Sequence, residues 1–216
     1  AALSKRFNCT VAKNNSEVVA KSDLVILATL PKDIAITAKN LPWRNNQCAI
    51  SIAAGIRLSA IKEAVQPAKA FRAMPISAVR LLEGPTAFQP NDERIFELFD
   101  DLGSAHPLEE ETNFEIASIF GAFYGYTHAL IDEASNWAEL HGLDARYTRV
   151  LVSRMLSSAA ANVIENNSDR PRKLLDDLLT TGGITEAGLK VLDLTGGLQK
   201  WQQALNSSLN RSRELE

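Results

Sequence analysis

Up to about residue 108, short apolar runs alternate with amphipathic stretches, the pattern of strands and helices taking turns around a mostly parallel sheet. Leu24 to Ala28 (Leu-Val-Ile-Leu-Ala) is continuously apolar, as a strand covered on both faces would be, and Ala49 to Ala53 (Ala-Ile-Ser-Ile-Ala) repeats the type. Val11, Phe71 to Met74 and Thr86 to Phe88 are further strand candidates, and His106 lies on another. Helices fill the gaps. Pro31 suits a first helical turn, Ser59 could cap Ala60 to Val65, and Ile95, Leu98, Phe99 and Leu102 form one apolar stripe before Gly103. Strand, helix and strand in succession predict right-handed crossovers and a doubly wound sheet.

Beyond about Glu109 the strand signal ends and helical periodicity takes over: Ala129 to Leu140, Ala145 to Ile164, Pro171 to Thr180, Thr185 to Leu194 and Leu198 to Arg213. Gly142 and the pair Gly196-Gly197 are stop signals, and Pro171 after Asp169 is a start. Two domains are therefore expected, 1–108 and 109–216. Leu151, Met155, Ser158, Ala159 and Val163 gather small and apolar groups on one face of a helix, where a second helix can approach closely. That face suits an intramolecular core and a dimer seam equally.

The chain has 216 residues, 45% apolar and 23% charged, with a formal charge of -3. This is the balance of an ordinary globular protein, long enough for a sizeable core. Without a basic cluster to neutralise phosphates, nucleic acid is not an expected partner. No apolar run approaches the roughly 20 residues that cross a bilayer, so no membrane partner is expected and a cytoplasmic location is. Cys9 and Cys48 stand in neither metal-ligand nor redox spacing and read as buried thiols. The opening Ala-Ala-Leu-Ser-Lys-Arg-Phe has neither an initiator Met nor a signal peptide's apolar stretch. It reads as the end of a helix already under way, so the sequence is expected to be truncated at its start.

The chemistry concentrates at Thr180-Thr181-Gly182-Gly183-Ile184-Thr185, between two helices. Two glycines let backbone come close to a ligand, and the free amides of the following helix start can hold a carboxylate against the positive end of its dipole. Thr185 adds a hydroxyl able to cap the helix or to bond a substrate nitrogen. The plainer alternative is a turn with an N-cap. His106, His128 and His141 are not spaced as ligands and read as structural or surface residues, so no metal site is expected. Asp100-Asp101 and Glu109-Glu110-Glu111 read as solvated charges at element ends.

In its full setting the turn resembles the signature of the pyrroline-5-carboxylate reductase family, Ser-Pro-Gly-Gly-x-Thr with a Leu-Asp ending. Gly182, Gly183, Thr185, Gly188, Leu189, Leu192 and Asp193 match it, while Leu179, Thr180 and Thr181 depart from it. Three further stretches are similar. Phe71-Arg72-Ala73-Met74-Pro75-Ile76, followed by Glu83-Gly84-Pro85-Thr86-Ala87, resembles Arg-x-Met-Pro-Asn-Thr-Pro and Glu-Gly-x-Thr-Ala. Ser51-Ile52-Ala53-Ala54-Gly55-Ile56 resembles Ser-x-Ala-Ala-Gly-Val, and Leu27-Ala28-Thr29-Leu30-Pro31-Lys32-Asp33 resembles Leu-Ala-Val-Lys-Pro-Gln-Asp. Asn15 before Ser16-Glu17 matches an Asn near the adenosine end of the cofactor. The likeness is colinear over essentially the whole chain.

The resemblance implies an α/β plus all-α protein: an incomplete Rossmann-like, doubly wound sheet domain followed by a helical dimerisation and substrate-binding domain. It implies hydride transfer from NADPH or NADH to the imine carbon of pyrroline-5-carboxylate, giving proline. Gly182, Gly183 and Ile184 would bind the substrate carboxylate through backbone amides, beside Thr180. Thr185 would bond the ring nitrogen as the catalytic residue. Ala28, Thr29, Leu30, Pro31, Ala53, Ala54, Gly55, Met74, Pro75 and Ile76 would line the cofactor's nicotinamide side. A homodimer or a ring of dimers is implied, each site joining one copy's sheet domain to the other copy's turn. The family's opening strand and Gly-x-Gly-x-x-Gly turn would precede residue 1, and these 216 residues contain no such pattern. The family's Gly-Ser-Gly-Pro-Ala-Tyr is here Gly121-Ala122-Phe123-Tyr124-Gly125-Tyr126. Phe123 and Tyr124 would either reshape the substrate pocket or pack structurally. A reductase of another imino acid and a non-catalytic dimeric scaffold or regulatory relative remain as alternatives.

Overall fold

A computed structural model describes residues 2–214. Contacts divide the chain into two compact units. One runs to Gly121 and takes in the last helix from Ser208; the other is Ala122–Ser207.

The first unit is built on five strands: β1 (Leu24–Leu27), β2 (Cys48–Ser51), β3 (Lys69–Met74), β4 (Gly84–Gln89) and β5 (Gly103–Pro107). They lie side by side in chain order. The first three are parallel, β4 turns antiparallel to β3, and β5 is parallel to β4. The reversal follows from the link between β3 and β4, which is a short 3-10 helix, Ser77–Leu81, closed by Leu82 at φ 58. So short a link cannot carry the chain back for a parallel crossover.

Alternation along the strands separates two cores. Val25, Leu27, Ala49 and Ala70 face one side and pack with Val19 of α2 (Asn15–Lys21), Ile34 and Ala38 of α3 (Pro31–Ala38), and Leu58, Ile61 and Val65 of α4 (Leu58–Val65). Cys48, Ile50, Phe71, Ala73, Phe88 and Ala105 face the other side and meet Ile95 and Phe99 of α5 (Glu93–Asp100). The predicted stripe on α5 is thus the face that covers the sheet, with Leu98 and Leu102 at its margin. Ile50, Ile61 and Ile95 are fully buried, and each contributes about 1.5–3 kcal/mol by leaving water.

Some expected details differ. Of the two thiols expected to be buried, Cys48 is, in β2, while Cys9 is exposed because it follows the first helix outside either core. Val11 is exposed between α1 (Ala2–Phe7) and α2, in no strand, because no neighbouring residue gives it the alternation a strand needs. Ser59 lies inside α4, whose cap position is Arg57, and the amide of Leu58 is held instead by a carboxylate from α6 (Glu111–Ser118). Gly103 opens β5 at φ +146, where an added Cβ would run into the Gly84 backbone.

The second unit is helical: α7 (Phe120–Leu140), α8 (Ala145–Glu165), α9 (Pro171–Asp177), α10 (Ile184–Leu194) and most of α11 (Gly197–Glu214). Helix α7 begins nine residues before the predicted Ala129, through a stretch of aromatic and glycine residues that are weak helix formers. Asp144 caps α8 by accepting from the amides of Arg146 and Tyr147 at 3.0 and 2.9 Å. Among the described residues this unit buries only Ser135, Ala138 and Thr148. Ile184, Leu194 and Leu140 are 94%, 88% and 85% exposed, so most of its apolar surface is left uncovered by its own chain.

Candidate functional site

The sheet unit presents three loops at one edge. The register pairs Leu27 with Ser51 and Ser51 with Arg72, so the carboxyl ends of β1, β2 and β3 are adjacent. Ala28, Thr29, Leu30 and Pro31 leave β1 and enter α3, with Pro31 at its first turn. Ala53, Ala54 and Gly55 leave β2, and Met74, Pro75 and Ile76 leave β3. These are the expected cofactor-lining residues, and ligands of open α/β sheets lie at this edge. The Ile52 amide donates to the Leu27 carbonyl at 3.2 Å and the Ala53 amide to Ser51 Oγ at 3.3 Å, which fixes the first two loops together. Gly55 is buried at φ +70, a conformation that favours glycine. Asn15 sits apart from these loops in sequence, exposed at the start of α2. Its neighbour Asn14 is the cap, accepting from the Glu17 amide at 2.9 Å.

Behind the loops lies a polar support that the pattern of charges did not suggest. Arg72, only 5% exposed, reaches Glu111 Oε1 with Nη1 at 2.8 Å and lies over the Phe114 ring at 4.5 Å. The same carboxylate oxygen accepts the Leu58 amide at 2.8 Å. Glu111 is therefore not merely a solvated charge: it ties β3 to the start of α4. The signal in the sequence was Arg72 itself, a guanidinium amid Phe71, Ala73 and Met74, which burial obliges to find a counter-charge.

The turn after α9 forms as a tight structure. The Gly183 amide donates to the Thr180 carbonyl at 2.8 Å, and a Cβ on Gly183 would stand 2.8 Å from that oxygen. Gly182 is at φ +76. Gly183 takes the cap position of α10, so Thr185 lies past the capping residue, with an exposed side chain. Its hydroxyl is not the helix cap. Ile184 and Thr185 supply first-turn amides, for which a helix has no carbonyl of its own. The Gly182 amide donates to Glu186 Oε2 at 2.6 Å, and Glu186 Oε1 pairs with Lys190 at 3.0 Å. The Gly182 amide, and then Lys190, hold the Glu186 carboxyl below its ordinary range.

Phe123, Tyr124 and Tyr126 of α7 pack within the helical unit. Phe123 meets Trp201 at 5.7 Å and Tyr126 at 6.4 Å, and the Tyr126 hydroxyl donates to the Ala204 carbonyl at 3.3 Å. Tyr124 stands edge-on to His128 at 4.6 Å. His128 and His141 bond the carbonyls four residues before them, and His106 pairs with Ser104. No group of three or more possible metal ligands occurs among the described residues, and no helix there is long and apolar enough to cross a membrane.

Residues 110–215 match the family described as pyrroline-5-carboxylate reductase dimerisation. Pyrroline-5-carboxylate reductase 2 of Bacillus subtilis is 23% identical over 99% of this chain and 80% of its own length. The pyrroline-5-carboxylate reductase of Pseudomonas aeruginosa is 26% identical over 100% of this chain and 82% of its own. Among solved structures, 1-pyrroline-5-carboxylate reductase from Streptococcus pyogenes superposes with a TM-score of 0.87 at 23% identity, covering 99% of this chain and 84% of that one. Pyrroline carboxylate reductase of Plasmodium falciparum with NADP bound gives 0.84 at 20% identity, covering 94% and 81%. The architecture of both units is thus a known one.

Proposed function

We propose that this chain belongs to the pyrroline-5-carboxylate reductase family, as its likeness to those enzymes supports, and that it is an oxidoreductase that reduces pyrroline-5-carboxylate to proline with NADPH or NADH. The observation that supports this most is the Gly182 amide, 2.6 Å from a carboxylate oxygen, that of Glu186. The turn receives carboxylates, and a ring carboxylate is what the substrate offers.

The strand-end loops fit the nicotinamide part of a dinucleotide. Ala28, Ala53, Ala54 and Gly55 carry little side chain at two adjacent loops, leaving room for a flat ring, while Met74, Pro75 and Ile76 on the third border it. When bound, the cofactor supplies the hydride that the imine carbon receives. The chain's residues position the other partner. Gly182 and the first-turn amides of Ile184 and Thr185 hold the carboxylate. Thr185 Oγ1 bonds the ring nitrogen, which takes up the C=N electron pair and a proton as it becomes an amine. The Glu111 pillar keeps the Gly55 loop and the end of β3 in place behind the ring.

Residues 1–108 serve as the dinucleotide domain and 109–216 as the dimerisation and substrate domain. Two copies, or a ring of such dimers, pair their helical units, and each site takes its loops from one copy and its turn from the other. The exposed Ile184, Leu194 and Leu140 support this pairing. We place the enzyme in the cytoplasm, where Cys9 and Cys48 remain free thiols. A second reading, reduction of another cyclic imino acid, draws on Ile76, an apolar residue at the end of β3 where the family signature has Asn.

A panel of cyclic imines tested for oxidation of NADPH and NADH discriminates the readings. Preferred turnover of pyrroline-5-carboxylate supports the first. Preference for another imine supports the second, and no oxidation with any imine leaves the non-catalytic scaffold.

A further inference from the structure

The Glu186 carboxylate occupies the same amide that the turn would offer to a substrate carboxylate. It reaches back four residues from the third position of α10, and Gly182, at φ +76, presents its N–H to Glu186 Oε2 at 2.6 Å. The other oxygen is held by Lys190 at 3.0 Å, so both carboxylate oxygens are engaged and the side chain is only 29% exposed. One N–H cannot serve two carboxylates at full strength, and two anions at one helix start repel each other. The family signature quoted above requires no acid at this position.

We propose that Glu186 is a specificity-determining residue of the turn: its carboxylate acts as a built-in competitor that a carboxylate-bearing imine must displace and a carboxylate-free imine need not. The inference rests on the reading of the turn given under the proposed function. It assigns this protein a weaker preference for carboxylated rings than the turn alone would confer. Lys190 has a defined part in it. When Glu186 is displaced from the Gly182 amide it keeps its ion pair with Lys190, four residues on along the helix, and that pair holds the displaced side chain.

A glutamate at the third helical position bonding back to the amides before the helix is also a capping arrangement. The two roles are separable. A cap alone would alter the stability of α10 and affect all substrates together; a competitor alters the ratio between them.

The full-length chain and its Glu186→Ala and Glu186→Gln variants are assayed with pyrroline-5-carboxylate and with 1-pyrroline, which lacks the carboxylate. The ratio of the two kcat/KM values is expected to rise about tenfold in Glu186→Ala, the loss of one charge-assisted hydrogen bond's worth of competition. It rises less in Glu186→Gln, whose amide oxygen can still accept from Gly182 without the charge. An unchanged ratio in both variants overturns the proposal. In parallel, the Gly182 amide resonance is titrated with cyclopentanecarboxylate, a ring carboxylate with no imine. Half-saturation is expected at about tenfold lower concentration in Glu186→Ala, and equal half-saturation overturns the proposal. If the wild-type chain turned over neither imine, the reductase reading would fall, and the titration would still decide the role of Glu186.

Discussion

Arg72 Nη1 lies 2.8 Å from Glu111 Oε1, and that single oxygen is also where the Leu58 amide ends. One carboxylate thereby joins the end of β3, the first turn of α4 and the first turn of α6. The guanidinium is 6% exposed in its side chain whereas the carboxylate is 44% exposed, so the pair is half open to water. Solvent screening moderates its strength, while the burial of Arg72 makes loss of the partner costly.

Glu111→Ala should lower thermal stability by about 2 kcal/mol, between the values for an exposed pair and a buried one. Glu111→Gln keeps an acceptor for the Leu58 amide and should lose about half as much. Unfolding curves in urea for the two variants measure this; equal stability of Glu111→Ala and wild type would show that the pillar bears no strain.

A second polar support gives a pH signature. Burial raises the Asp92 carboxyl, but hydrogen bonds from Lys69 and Arg94 outweigh it, and the group sits below its ordinary value in the folded chain. A depressed carboxyl stabilises the fold fully above the unfolded value and loses that contribution as pH falls through the folded one. The melting temperature of wild type should therefore fall more steeply below the ordinary carboxylate range than that of Asp92→Asn. Parallel acid limbs for the two would remove Asp92 from the account.

Much of this architecture was legible in the sequence, for identifiable reasons. Leu24 to Ala28 and Ala49 to Ala53 are legible as β1 and β2 from their continuous apolar runs; β2 is buried on both faces as such a run implies, whereas the edge strand β1 leaves Ile26 49% exposed, and the stripe of α5 is visible at helical spacing. The Thr180–Thr185 turn is legible from its paired glycines: Gly182 lies at φ +76, and Gly183 has no room for a Cβ beside the Thr180 carbonyl. Glu111 was not, because its role depends on Arg72, 39 positions away. Glu186 is not legible for the opposite reason: an acid in the first turn of a helix is so common that it carries no signal. The start of α7 is hidden because its aromatic and glycine residues are weak helix formers, with Phe123 and Tyr126 packed against Trp201.

The turn glycines differ in what they forbid. Gly183→Ala would bring a Cβ to 2.8 Å from the Thr180 carbonyl and must open the turn, whereas Gly182→Ala meets nothing within 4 Å and bears only the strain of φ +76, about 1 kcal/mol. Activity should fall at least about tenfold further in Gly183→Ala than in Gly182→Ala, a gap of some 1.4 kcal/mol. Steady-state kinetics on both variants provide the comparison, and the reverse order would contradict the turn geometry.

Met155 and Ile164 on α8 are 64% and 72% exposed in the single chain, and pairing of two helical units would bury surface of this kind. Sedimentation should show a dimer or a multiple of it. Met155→Lys should weaken association by about 3 kcal/mol, or about a hundredfold in Kd, by placing an unpaired charge at an apolar contact. A wild-type chain that sediments as a monomer at all concentrations would refute this.

We propose above that this chain reduces a cyclic imine with Thr185 at the reacting nitrogen. The most direct test is proline formed from pyrroline-5-carboxylate and NADPH or NADH, measured beside cofactor oxidation in wild type and Thr185→Ala. Equimolar proline and oxidised cofactor are expected from the wild type, with turnover about a hundredfold lower in a Thr185→Ala variant of unaltered melting temperature, as the loss of a hydrogen bond at the reacting nitrogen implies. Wild-type turnover in Thr185→Ala, or oxidation without proline, would contradict the account.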